Sequence, residues 1–164
     1  MFLGQPIYAY AVVLAGLLIF TGIGSRAAGK WGVELPWILN RVLLCAIVVA
    51  SSMSVFTPAV FRASLELGIF WRIAIASVLV APLGFVMGMP FPLGLRLALQ
   101  RSSALGSWAW GVNGFFTVIG TILALILGMM IGFRMVLLLA CACYLAGLLA
   151  IAWLSTGVRR QDSI

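Results

Sequence analysis

The sequence contains no histidine, only three acidic residues, and thirteen charged residues in a chain of 164. Without histidine there is no imidazole-ligated haem, no histidine-bound zinc and no Ser/His/Asp triad. The acids, Glu34, Glu66 and Asp162, are each distant in sequence from the others. Cysteine is almost as scarce. Cys45 falls within an apolar run, while Cys141 and Cys143, two apart on a helix, project about 200° from one another and cannot clamp one ion. All three read as small buried apolar side chains. No metal site or cofactor is expected. At 65% hydrophobic and 8% charged, the chain lies far from the soluble range of about 45–50% apolar and about 25% charged. It reads as a membrane protein.

The few charges punctuate the chain. They leave five charge-free intervals, residues 1–25, 42–61, 73–95, 102–133 and 135–158. Each can hold the roughly 20 apolar residues that cross about 30 Å of hydrocarbon as a helix. The expected fold is all-α, a single polytopic membrane helix bundle over 1–164 with spans at about 5–24, 40–60, 71–90, 107–131 and 135–155. Short connections remain, with no room for a soluble catalytic domain of at least about 50 residues. The N-terminal stretch lacks the positive start of a secretory signal, and its apolar run exceeds the usual length, so it reads as a retained helix.

A net charge of +7 would suit a nucleic acid, but the basic residues sit at span ends, where they set orientation instead. Arg26, Lys30, Arg41, Arg96, Arg101, Arg159 and Arg160 share one side, and Arg62, Arg72 and Arg134 the other. The positive-inside rule then puts the N-terminus outside and the C-terminus in the cytoplasm of a bacterial inner membrane. All six tryptophans fall near span ends, as headgroup-level indoles do. Arg62 and Glu66, four apart in the outer loop, would pair if that loop were helical.

Three segments stand out within the spans. Gly88, Pro90, Pro92 and Gly94 crowd into seven positions. The two prolines remove backbone donors, so carbonyls near Val86 and Gly88 should lose helical partners. Such groups cannot face lipid, which leaves a kink or helix end against protein or interface, or a transporter-like broken helix. In the fourth span Gly120, Ala124, Gly128 and Gly132 recur every four residues, a small-xxx-small packing stripe, preceded by Asn113, Thr117 and Thr121 at the same spacing. Gly84/Gly88 and Ala142/Ala146/Ala150 repeat that spacing in the third and fifth spans. Ser51, Ser52, Ser54 and Thr57 cluster in the second span, where hydroxyls usually bond back to their own helix. With no intramembrane acid or base there is no evident proton relay.

Taken together, FLGQPIYAYAVVLAGLLIFTGIGS (2–25), GMPFPLGLR (88–96), WAWGVNG (108–114) and the GF at 132–133 resemble the C-terminal membrane region of multi-pass spermidine-synthase-like bacterial proteins. Those proteins carry an aminopropyltransferase-like domain beside a membrane part sometimes compared with major facilitator transporters. The resemblance implies a further helix before the FLG stretch and a synthase domain, and this sequence contains neither. No catalytic residue carries over. The expectation is therefore a non-enzymatic scaffold or accessory subunit, resembling helices two to six of a six-helix half and completed by other transmembrane subunits. Its partners are the bilayer and those subunits, with no nucleic acid. The alternatives are part of a transporter-like bundle for a small solute, or the membrane half of a split aminopropyltransferase-like enzyme.

Overall fold

A computed structural model describes the backbone of residues 6–31 and 35–161, with side chains for 7–31 and 36–153. The described residues form six helices: α1 Pro6–Ala28, α2 Leu35–Ala63, α3 Ile69–Met87, α4 Pro90–Arg101, α5 Ser103–Ile131 and α6 Phe133–Gln161. Five stretches are long and apolar enough to cross a membrane, the third of them combining α3 and α4 as Ile69–Arg101. The all-α architecture and the five spans agree with the charge-free intervals. The helices outrun the expected spans at several ends. α2 has 29 residues with Arg41 and Arg62 inside it; at about 43 Å it stands clear of a hydrocarbon core of about 30 Å, so its charged ends need not leave the helix.

The connection between α2 and α3 at residues 64–68 is a turn, not a helix, so Arg62 and Glu66 do not share a helix face. Arg72 holds the turn instead, donating from Nε to the Leu67 carbonyl at 2.8 Å and from Nη2 to the Leu65 carbonyl. Two further connections are minimal. Ser102 alone separates α4 from α5, and its hydroxyl accepts the Leu105 N–H at 3.1 Å as an N-cap. Gly132 alone separates α5 from α6, at φ 89° and ψ 149°, a conformation in which a Cβ would be strained.

Among the described residues, α2 lies at the centre and packs on α3, α4 and α6; α1 lies on α3, and α5 packs mainly on α4 and α6. A small core of Ala28, Leu39, Val42, Leu43, Met89 and Leu93 gathers where α1 ends, α2 begins and α3 meets α4. Elsewhere large apolar side chains face outward, among them Phe70, Met129, Met130 and Trp153. Water would penalise that surface heavily, whereas lipid is as apolar as leucine and exacts no such cost.

At the α1–α3 crossing the two backbones come into direct contact. A Cβ on Gly24 would overlap the Phe85 carbonyl, and one on Gly88 would overlap the Thr21 carbonyl, so only glycine lets the two backbones touch. A Cβ on Gly84 would stand 3.1 Å from the Phe20 Cβ. Thr21 Oγ1 completes the contact by donating to the Gly84 carbonyl at 3.2 Å.

The proline segment is a kink inside protein. Gly88 (φ −72°, ψ −16°) and Met89 (φ −88°, ψ −37°) both keep right-handed helical dihedrals. The Val86 carbonyl, expected to be orphaned, accepts the Met89 N–H at 3.2 Å in a tighter turn. Pro90 opens α4 and Pro92 follows within the same first turn, where missing N–H groups cost nothing. Gly88, Met89 and Leu93 are buried, so the break is shielded from lipid by the chain itself.

Candidate functional site

The stripe on α5 divides into three parts. At its far end Gly128 is buried under Phe133 from the start of α6, whose Cε1 lies 2.7 Å from where a Cβ would be. Ala124 is half-buried, while Gly120 is exposed with nothing within 4 Å of its Cβ position, and the same holds for Gly111 and Gly114. Gly132 belongs to the turn rather than the helix. The hydroxyls of Thr117 and Thr121 are occupied by their own helix, donating to the Asn113 and Thr117 carbonyls at 2.6 and 2.7 Å. These exposed back-bonded threonines leave the Asn113 carboxamide as the polar group of the stripe that is free to meet something else.

Asn113 faces a cavity of about 720 Å³ between α4, α5 and α6. Pro90, Phe91 and Gly94 line it from the kink, Trp108 and Asn113 from α5, and Tyr144 from α6. Phe91 and Trp110 lock α4 to α5 nearby, edge to face at 5.2 Å. Two sequence features 23 positions apart, the proline kink at Pro90 and Asn113, therefore share one wall. The Asn113 carboxamide, the Tyr144 hydroxyl and the Trp108 indole N–H are the polar side-chain groups of an otherwise apolar wall.

Other expectations fare differently. Ser52 and Ser54 bond back to the carbonyls of Val49 and Ser51, both at 2.8 Å, so the hydroxyl cluster offers no continuous polar path. Ser51 lies 3.9 Å from the Cys141 sulfur and ties α2 to α6. Of the three cysteines only Cys141 is buried; Cys45 and Cys143 are exposed. That departs from the expectation, because a lipid-facing position is already apolar and gives a thiol no reason to turn inward. On α6, Ala142, Ala146 and Ala150 are exposed, and α2 is met by the neighbouring face carrying Cys141, Tyr144 and Leu148.

Several contributors escaped the sequence reading. Arg96 had been counted as an orienting loop charge, but it sits in α4 and its Nη1 donates to the carbonyls of Ala28, Gly29 and Trp31 at 3.2, 3.4 and 2.9 Å. It caps the C-terminus of α1, where carbonyls lack helical partners and a cation is favoured. Tyr144 lies in an unbroken apolar run with no local signal. Asn40, placed at a span edge, has its Oδ1 buried without a hydrogen-bond partner. The stacking of Arg41 on Trp37, 3.6 Å to the ring centroid, was legible in principle from their spacing of four. No family model matches this sequence, and no curated protein or solved structure is similar to it.

Proposed function

We propose that this chain is a non-catalytic, multi-pass module of a bacterial cytoplasmic membrane that packs against further transmembrane helices through α5. The contrast between its two small-residue faces carries this reading. At the α1–α3 crossing glycines bring two backbones into contact, whereas on α5 Gly120, on the same face as Asn113, Thr117 and Ala124, is exposed with nothing within 4 Å of its Cβ position. A small-residue face in lipid gains packing only when a second helix lies on it, and among the described residues α5 packs mainly on α4 and α6. The orientation in this proposal, N-terminus outside and C-terminus cytoplasmic, follows from the excess of basic residues at the Arg26/Arg96 end. The resemblance to spermidine-synthase-like membrane regions favours a separately encoded synthase-like polypeptide as the partner. Native mass spectrometry after mild detergent extraction tests the reading. A stoichiometric partner that is lost in Gly120→Ile supports it, and a lone monomer overturns it.

The shared wall of the kink and Asn113 favours one second reading, a transporter-like bundle in which the 720 Å³ cavity admits a small amphipathic solute. No carboxylate lines it, which counts against a polyamine cargo. Liposomes containing only this chain and showing no solute-dependent flux reject it.

A further inference from the structure

A second cavity, of about 470 Å³, opens where the end of α1, the first turns of α2 and the end of α3 meet. The buried Val42 and Met89 and the half-buried Phe85 belong to its apolar wall, and Trp31, Trp37 and Arg41 stand exposed around its rim. Its apolar wall suits a flexible hydrocarbon chain.

The rim supplies the opposite chemistry. Stacking on Trp37 fixes the Arg41 guanidinium face-down and leaves its edge, with five N–H donors, turned away from the ring. No described residue accepts a hydrogen bond from that edge, and Glu66, the acid among the described residues, lies at the other end of the bundle. A planar guanidinium edge matches two oxygens of a phosphate. The same end carries Arg26, Lys30, Arg96 and Arg101, so its field favours an anion. Tryptophans at the rim put this mouth at headgroup depth.

We infer that this cavity binds an anionic phospholipid, with the headgroup phosphate on Arg41 and one acyl chain running along Val42, Phe85 and Met89. Basic pockets between transmembrane helices hold lipid headgroups in this way. The inference requires the chain to lie in a bilayer and is independent of any protein partner of α5.

The test uses the full chain in phosphatidylcholine vesicles with tryptophan fluorescence as the readout. Phosphatidylglycerol or phosphatidylcholine, each brominated on its acyl chains, is added at equal mole fraction. The expected result is a preference of about fivefold for the anionic lipid, corresponding to about 1 kcal/mol. Arg41→Gln should abolish it, and Trp37→Phe should reduce the excess quenching. Arg26→Gln, exposed at the same end but outside the cavity, should retain most of it. Equal quenching by the two lipids in the wild-type chain overturns the inference, and needs no variant to fold. Equal losses in Arg26→Gln and Arg41→Gln also overturn it, because they indicate a diffuse basic surface rather than a site.

Discussion

Replacing Gly24 with alanine should be among the most damaging single-methyl additions to this chain. The added Cβ would lie 2.9 Å from the Phe85 carbonyl carbon and 3.2 Å from its Cα, besides overlapping the carbonyl oxygen. Carbon atoms in good contact sit about 3.5–4.0 Å apart, so the α1–α3 crossing must open by about 1 Å, which forfeits up to about half of the dispersion well for every atom pair at the seam. Overpacking of this kind costs about 1–3 kcal/mol. Opening also stretches the 3.2 Å bond from Thr21 Oγ1 to the Gly84 carbonyl, which contributes about 0.6 kcal/mol in a membrane bundle. The expected loss is about 2–3 kcal/mol. Gly22, two residues earlier on the same helix, has nothing within 4 Å of its Cβ position and serves as the control. Titration of the folded fraction with SDS in mixed micelles measures both. Gly88→Ala should behave like Gly24→Ala, and the double variant should lose less than the sum, since both substitutions open one crossing. If Gly24→Ala and Gly22→Ala lie within about 0.5 kcal/mol of each other, the reasoning fails.

Arg96→Gln should release the end of α1, costing about 1.5 kcal/mol and speeding amide exchange across residues 26–31; unchanged exchange there would show that the cap carries no stability. Gly132→Ala forces a side chain into a backbone conformation reserved for glycine, and a loss of about 2 kcal/mol is expected in the same SDS titration. An alanine that is neutral at this position would mean the α5–α6 turn relaxes without cost. A reporter active only in the cytoplasm, fused after Ile164, should function; activity of a periplasmic reporter there would reverse the proposed orientation.

The number of spans was legible because membrane helices are bounded by charge, and thirteen charges mark the boundaries without reference to tertiary structure. Gly84 and Gly88 were legible as a close-contact pair, but their counterpart Gly24 was not. Which helix a small face meets depends on neighbour order in the bundle, and one sequence does not encode that order as a period. The capping role of Arg96 was not legible for a related reason. A basic residue near a span end has the same sequence signature whether it orients the chain or caps another helix, and only the proximity of α4 to the end of α1 separates the two. The proline kink was expected to orphan the Val86 carbonyl, yet Val86 keeps a hydrogen bond because one tightened turn replaces the missing donor. Thr117 and Thr121 follow the general habit of hydroxyls in apolar helices. The meeting of Pro90, Asn113 and Tyr144 required the fold, since each comes from a different helix.

The single-residue joints at Ser102 and Gly132 give the second half of the molecule an unusual mechanical character. One intervening residue spans at most about 7.6 Å between the flanking Cα atoms, so there is no slack to absorb a shift of one helix past the next. A pull or tilt applied to α5 is delivered at one end to α4, and through it to the kink at Gly88 and Met89, and at the other end to α6. Whatever lies against α5 therefore has a lever on the interior of the bundle.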